Sequence, residues 1–451
     1  MAGTDHTSVT AEKPLSFGHI FLYNLAGFSF NLYDAILYAW CAYFYTPPQG
    51  SGLTQFIPLA TLGIILAGGR LLDAVTDPLI GYLSDHTRSR WGRRKPYIFV
   101  SSPILFVSFI LVWRPPVDGI SLTNAVYLAV VLFFYYCSYT GFLIPWFAVL
   151  PEMSEKNEVR TKIAAVGVAI GAVGALVGGG LSGPLISAWS PFSMALALGL
   201  VGFVAAEFTL FGVHEKPRAL QHDQPMPGFL KVVKEVFADK QVLSFSGMII
   251  LVQMTYQLML MNVPYFTTLI LGRKEQDASI LMAEVILLMA GSVPFWYWML
   301  KRHPKRTVFR GIIVAMTIGF ILSYFIGRLP FGSPFVQALL IFPVAAIPVG
   351  GMFTAVLTVI SDLTDYDELK TGQRREAIYF GIYGIVRKSG WALCPLILAA
   401  VFSQFGYSLE NPQGVRVIWL VCALSCALGF VVFIPYKLGD SKDETRRIMG
   451  L

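Results

Sequence analysis

The sequence predicts an all-α membrane protein of twelve transmembrane helices, arranged as two pseudo-symmetric six-helix bundles. Three observations carry that reading. The 451 residues are 55% hydrophobic and only 14% charged, whereas a soluble domain carries about 25% charged residues. Twelve apolar segments are each long enough to cross a bilayer, whose hydrocarbon core takes about 20 helical residues. The longest hydrophilic stretch, His214 to Lys240, falls at the midpoint with six segments on either side. The expected organisation is an N-terminal bundle over residues 1–213, a cytoplasmic central loop over 214–240 and a C-terminal bundle with a cytoplasmic tail over 241–451.

The segments are expected near 18–45, 54–83, 97–113, 123–149, 162–189, 192–213, 241–270, 278–300, 307–327, 335–361, 376–404 and 415–436. The leading MAGTDHTSVTAEKPLS is polar, with no apolar core ahead of a cleavage site. No cleaved signal peptide is expected, and insertion then depends on the first spanning helix. An even number of spans puts both termini on one side. Most Lys and Arg belong to that side, while the opposite loops hold Arg114, Arg273, Lys274 and Arg328. This asymmetry points to an integral plasma (inner) membrane protein with both termini in the cytoplasm. It also accounts for the net charge of +7 without a nucleic-acid partner.

Within the central loop, Pro227 to Ala238 spaces Phe229, Leu230, Val233 and Phe237 on one helical face. The segment reads as a short amphipathic helix on the inner membrane surface or as a plain linker. Cys41, Cys137, Cys394, Cys422 and Cys426 lie inside apolar segments without metal-ligand spacing and read as packing residues. The histidines fall mainly in tails and loops and are assigned no chemistry.

The two halves echo each other. LPEMSEKNEVRTKIA after the fourth segment and SDLTDYDELKTGQRREAI after the tenth each pass from acidic to basic as the next helix starts. WGRRKP after the second segment has a basic counterpart in Lys301 to Arg306, KRHPKR, after the eighth. Repeated six-helix halves joined by a central loop are the architecture in which a solute sits between bundles that rock about it. An enzyme reading lacks its parts. There is no nucleophile elbow, metal cluster or phosphate-cradling loop, and the glycines at Gly178 to Gly180 read as close-packing devices.

The chemistry concentrates in Gly69 to Pro96, GRLLDAVTDPLIGYLSDHTRSRWGRRKP. Asp73 and Asp77 are four apart and share one helical face, and Arg70 lies one turn before Asp73. A charge at the bilayer midplane costs about 2.5–3.5 kcal/mol on insertion scales, so two adjacent carboxylates call for a function. Pro78 removes the hydrogen bond that the Ala74 carbonyl would accept, which adds an oxygen to the two carboxylates, with Thr76 nearby. This oxygen-rich pocket suits a small cation, Na+, or a proton. The alternative is a structural Arg70–Asp73 ion pair with Asp77 facing a water-filled vestibule.

The segment from Arg70 to Pro96 resembles the melibiose permease family, the glycoside–pentoside–hexuronide:cation symporters of the major facilitator superfamily. RLLDAVTDP matches that family's R-x-x-D-A-x-x-D-P, and TRSRWGRRKP, Thr87 to Pro96, matches its following loop. DYDELK at Asp365 to Lys370, then Arg374, then Arg387, Lys388 and Ser389, and IPWFAVLP in the fourth helix, extend the likeness across both halves.

The resemblance implies a major facilitator fold and a cation site on Asp73, Thr76, Asp77 and Thr140. Thr76 stands where the sodium-coupled member has an asparagine. The family's helix-eleven lysine falls on Lys388, implying coupling through the carboxylates or a polar solute group, with Arg70 beside them; snorkelling or a purely structural salt bridge is the alternative. At the positions where melibiose permease binds sugar with two acids and an arginine, this chain has Asn31, Leu143 and Val168. A site without those charged partners does not hold the same polyol. Asp34 is a candidate replacement, and Trp146, Phe353, Tyr383 and Trp391 are candidate cavity aromatics. Glu207 and Glu284 lie inside apolar segments and match no family site.

At the cytoplasmic helix ends, Asp85, Arg93, Arg94, Asp362, Asp365 and Arg374 are expected to lock the bundles in the outward-open state. The resulting expectation is a monomeric secondary symporter, moving a small glycoside-like solute with Na+ or H+ and using no other cofactor. Two alternatives remain. One is a cation-coupled transporter of an amphiphile, since the helix-two motif also resembles the vertebrate sodium-dependent lysophosphatidylcholine symporters. The other is a non-transporting membrane sensor or scaffold.

Overall fold

The structure, a computed structural model, describes residues 16–154, 156–215, 235–372, 375–440 and 442–450. Six helices form the first bundle: α1 (Phe17–Tyr45), α2 (Leu59–His86), α3 (Lys95–Leu111), α4 (Leu122–Met153), α5 (Asn157–Ala188) and α6 (Pro191–Gly212). Six form the second: α7 (Lys240–Leu269), α8 (Glu275–Arg302), α9 (Lys305–Tyr324), α10 (Pro334–Thr371), α11 (Glu376–Phe405) and α12 (Gln413–Phe433). A short α13 (Lys442–Met449) follows. Each of the first twelve is long and apolar enough to cross a membrane. Of the central segment expected to be amphipathic, residues 227–234 lie outside the described residues.

Polar residues punctuate the apolar runs. Side chains of Ser16, Ser121, Ser190, Asp239 and Ser333 accept backbone N–H bonds at the starts of α1, α4, α6, α7 and α10. Each satisfies an amide that has no intrahelical acceptor. The hydroxyl of Tyr366 and the ammonium of Lys370 also reach the Asp239 carboxylate. Burial opposes ionisation there, but Lys370, the Gln241 N–H and Tyr366 outweigh it and hold the carboxyl below its ordinary range. That stabilisation is present above the ordinary carboxylate range and is lost as pH falls through the depressed value.

α10 runs 38 residues to Thr371, about three turns past the apolar segment. Its last turns, SDLTDYDELKT, are polar because they leave the membrane, and Gly372 ends them at φ 71°, the left-handed cap that glycine adopts without penalty.

Within the first bundle α1 packs on α5 and α6, and α4 on α2 and α3; within the second α8 and α9 pack on α10, and α12 on α7 and α9. Between bundles α2 meets α11, α5 meets α8 and α1 meets α7. Glycine sets the closest approaches. A Cβ at Gly174 would fall inside the carbonyl oxygen of Phe28, and one at Gly178 would lie 2.6 Å from that of Leu32. Gly179 and Gly180 instead face Met282, Ile286 and Ala283 of α8. Small residues let backbones approach where lipid supplies no hydrophobic drive between helices.

The inter-bundle contacts concentrate on the face opposite the termini. There the Thr46 and Tyr265 hydroxyls lie 3.0 Å apart, the Gly183 N–H donates to Ser279 Oγ at 2.8 Å, and the Leu409 N–H donates to the Gln49 carbonyl at 3.1 Å. On the terminal face, the described ion pairs stay within one bundle. The two bundles therefore meet at one end and part toward the other, which is an inward-facing shape if the termini are cytoplasmic.

Replacing Gly174 with Val is expected to lower the melting temperature in detergent sharply, since overpacking costs about 1–3 kcal/mol or more. Gly68→Ala, where nothing lies within 4 Å of the added carbon, should leave it unchanged or raised. Equal melting of the two variants would contradict this account of the α1–α5 seam.

Candidate functional site

The charged side chains of α2 converge with one lysine from the other bundle. Lys388 Nζ on α11 lies 2.5 Å from Asp77 Oδ2 and 3.0 Å from Asp73 Oδ2. Arg70 Nη1 donates to Asp73 Oδ2 at 3.2 Å. The other oxygen of each carboxylate faces α4, where the Thr140 hydroxyl lies 2.8 Å from Asp73 Oδ1 and 3.3 Å from Asp77 Oδ1. Thr76 Oγ1 stands 3.2 Å from Thr140 Oγ1. Each acid thus presents one oxygen to an ammonium and one to a hydroxyl cluster.

That arrangement follows from helix geometry. Asp73 and Asp77 share a face by their spacing of four, and Thr76 flanks them. α2 continues unbroken through Pro78, and the Thr76 hydroxyl turns back to within 3.0 and 3.2 Å of the Leu72 and Asp73 carbonyls. Asp73 is fully buried, whereas the Asp77 side chain retains 22% exposure. A cation approaching from the open cleft therefore meets Asp77 first. Two carboxylate oxygens with two hydroxyls form a hard donor set suited to a small cation.

Next to this cluster Asp34 Oδ2 accepts from the Tyr139 hydroxyl at 2.8 Å, and Asp34 Oδ1 lies 3.6 Å from Arg70. The Arg70 guanidinium lies over Tyr38 at 4.3 Å, Tyr136 at 5.0 Å and Trp391 at 5.7 Å. Asn31 is exposed, and its side-chain amide donates to the Gly27 carbonyl one turn earlier in α1. Val168 is also exposed. It lies eleven residues before Gly179, which faces α8, and so shares the helical face that borders the inter-bundle space. Leu143 is half-buried. Phe353 packs edge-on against Tyr256, and Tyr383 accepts from Gln253 Nε2 at 3.0 Å.

Trp146 departs from its expected place in the cavity. Its indole N–H donates to the Tyr23 carbonyl and the Tyr23 hydroxyl donates to the Trp146 carbonyl, each at 2.9 Å. A buried indole needs a partner for its N–H, and this reciprocal pair fixes the ring in the α1–α4 seam.

On the terminal face, Arg94 bonds Asp85 at 2.8 Å and the Ala148 carbonyl, and both Arg93 and Arg94 pair with Glu152, at 2.6 and 2.9 Å. Lys305 pairs with Asp362 at 2.5 Å in the second bundle. The basic loops after α2 and α8 thus each clasp an acid near the end of α4 or α10, as the echo between the halves implies. Asp365 sits on the same helix as Asp362 and is itself engaged. Arg374 lies outside the described residues. The pairs described for Asp85, Arg93, Arg94 and Asp362 each stay within one bundle. Glu207 and Glu284 stand on α6 and α8, apart from the cluster.

Three residues escaped the sequence reading. Glu152 appeared only as one acid in a loop-like run. Glu215 accepts the backbone N–H groups of Arg93, Arg94 and Lys95 at 2.7, 3.1 and 2.9 Å, a carboxylate on a helix N-terminus. Gly92, at φ +105°, lets it in, since a Cβ there would press on the carboxylate. Gln257, 1% exposed in mid-membrane, lines a cavity beside Arg70. A glutamine inside an apolar span was its available signal.

Residues 22–439 match the family model described as MFS/sugar transport protein. The chain belongs to the MFS/sugar transport protein family. Among relatives of this MFS/sugar transport protein, the sodium-dependent lysophosphatidylcholine symporter 1 of Gallus gallus is 26% identical, over 85% of this chain and 80% of the relative. The putative glycoside/cation symporter YagG of Escherichia coli is 25% identical, over 89% and 88%. The isoprimeverose transporter of Lactiplantibacillus pentosus is 23% identical, over 92% and 85%. In fold the protein is similar to a D-xylose-proton symporter structure, with TM-score 0.69 and 13% identity over 94% of this chain and 99% of that one. It is an integral membrane transporter, not an enzyme.

Removing the ammonium should leave two buried carboxylates facing each other, a loss of about 3–5 kcal/mol for a broken buried pair. Lys388→Met is therefore expected to lower the melting temperature, and adding Asp77→Asn to restore part of it. Simple additivity of the two substitutions in that thermal cycle would show that the pair is not coupled.

Proposed function

We propose that this transporter is a cation-coupled symporter of a small glycoside-like solute, working by alternating access in the plasma membrane with both termini cytoplasmic. The observation that carries the reading is Lys388 of one bundle seated on Asp73 and Asp77 of the other, beside an oxygen cluster. A cation, Na+ or H+, that neutralises Asp77 competes with the ammonium for the same carboxylate. Its entry weakens the ion pair that joins the bundles at mid-membrane, and so changes the balance between their two arrangements. The relatives named as glycoside/cation and sodium-dependent symporters support coupling of this kind.

In this mechanism the terminal-face pairs exchange partners. Asp85, Arg93 and Arg94 of one bundle meet Asp362, Asp365 and Arg374 of the other when that face closes and the opposite seam opens. The solute occupies the space bordered by Asn31, Asp34, Leu143, Val168, Phe353, Tyr383, Lys388 and Trp391.

A second reading, transport of a lysolipid, is favoured by one feature. An apolar recess, lined among others by Phe245, Ile249, Leu363 and Val386, lies beside Tyr383. Leu143 and Val168, in the first bundle, are apolar where the resembled sugar site is charged.

In proteoliposomes, Asp73→Asn and Asp77→Asn should each abolish gradient-driven accumulation of the transported solute while downhill exchange persists. Accumulation surviving in both variants would sink the coupling site. A thermal-shift screen across methyl glycosides, hexuronic acids and lysophosphatidylcholine, with and without sodium, should show ion-dependent stabilisation by the solute class that is carried. Stabilisation by lysophosphatidylcholine alone would favour the second reading.

A further inference from the structure

The corner between α8 and α9 carries charge that its own bundle leaves unanswered. Lys301, Arg302, Lys305, Arg306 and Arg310 are clustered there, and the sequence holds no Asp or Glu between Glu284 and Asp362. Asp362 pairs with Lys305, and Arg310 Nη2 donates to the Ile434 carbonyl at 3.2 Å. Among the described residues, no carboxylate pairs with Lys301, Arg302 or Arg306. The matching corner of the first bundle is built differently, since Arg93 and Arg94 there are held by Glu152 and Asp85.

What Lys301 and Arg302 do meet is aromatic. Lys301 Nζ lies 4.5 Å from the centre of the Tyr297 ring, and Arg302 Cζ lies 4.6 Å from that of Trp298, each one turn back along α8. A ring face attracts a cation but accepts no strong hydrogen bond, so the N–H donors stay available to an anion.

These rings are also placed at lipid. α8 turns Met282 and Ile286 toward α5, and Ser292 and Trp296 toward the Ile347 carbonyl of α10. Ile280, Leu287, Phe295 and Trp298 share the remaining face and are all exposed. Arg302 is the next residue on that face. Phe295 and Trp298 stack with ring centres 6.2 Å apart. An apolar stripe on a spanning helix faces acyl chains, and where it ends in Trp, Tyr and bases it has reached the headgroups.

We propose that this corner binds an anionic phospholipid from the leaflet on the terminal face. The lipid phosphate sits on the Arg302 guanidinium and the Lys301 ammonium, and one acyl chain lies along Trp298, Phe295 and Leu287. Arginine offers paired N–H donors to two phosphate oxygens, and lysine adds a compact charge. A zwitterionic headgroup brings its own cation and answers the excess charge less well. The bound lipid holds the α8–α9 corner at one depth in the bilayer, an anchor for the second bundle while it moves against the first.

Purified full-length protein in an uncharged detergent is melted against increasing dioleoyl phosphatidylglycerol, dioleoyl phosphatidylcholine or glycerol 3-phosphate. Phosphatidylglycerol should raise Tm, and the other two should not. Lys301→Gln combined with Arg302→Gln should need about tenfold more phosphatidylglycerol for half of that rise, and Trp298→Leu should also need more than wild type. Arg88→Gln combined with Arg90→Gln removes two exposed charges elsewhere on the same face and should leave the requirement unchanged. The readout is the lipid-induced shift, so a variant with a lower starting Tm still reports it.

An equal rise with phosphatidylcholine would overturn the proposal, because the charge of the headgroup would then be irrelevant. An equal rise with glycerol 3-phosphate would replace the lipid site by a site for free anions. Equal losses in the two double variants would reduce the effect to diffuse attraction by the whole face and would likewise overturn a site at this corner.

Discussion

One contact organises this protein: an ammonium from the second bundle held between two carboxylates of the first, at mid-membrane. Neither charge set is tolerable there alone. Arg70 secures Asp73 from within its own helix, which leaves Asp77 as the acid whose partner is exchangeable. Asp73 is enclosed while Asp77 is open to the cleft, so the variable member is also the accessible one. Electrostatics and exposure single out the same residue.

The two ends of the molecule are built from different interactions, and that difference gives alternating access a physical basis. The closed end is joined mainly by neutral hydrogen bonds and close backbone approach, as at Thr46, Tyr265 and Gly183, with the Glu275 carboxylate accepting from Tyr43 and Ser187 across the same seam. The open end carries basic loops folded onto acids of their own bundle, with Glu152 and Glu215 anchoring the loop after α2. Neutral bonds at a seam exchange for water at modest net cost, and charges satisfied within a bundle are available to satisfy one another across it. Two arrangements of comparable energy are what a rocking mechanism requires.

Much of this was legible in the chain, and the reasons differ by element. The spanning helices were readable because lipid demands long apolar runs, and their ends fell within a few residues of the structure. α10 outran its apolar run, since a helix that leaves the membrane keeps its hydrogen bonds but loses the hydropathy that marks it. Asp73, Thr76 and Asp77 were nameable from the charge and proline pattern of α2, Thr140 and Lys388 only through the family resemblance, and the structure places the five together. Glu215 was not, because a lone acid after a helix gives no local sign of the distant amides it caps. Trp146 misled for the opposite reason. An aromatic in the right helix resembles a cavity residue until its N–H is found spent on a neighbouring backbone.

The loss of charged residues at Leu143 and Val168 also takes on a meaning that sequence alone did not supply. In the resembled sugar site, the polar groups come from helices one, four and five, all in one bundle. Here buried polar atoms without a hydrogen bond stand on α1 at Tyr38, α7 at Gln257 and α11 at Trp391, astride both bundles. A ligand held from one side only moves with that bundle and senses the other weakly. A ligand that reaches groups on both bundles ties its own binding energy to the distance between them. In the proposed mechanism, coupling of solute to cation needs no relay through intervening packing, since both act on the gap between the bundles.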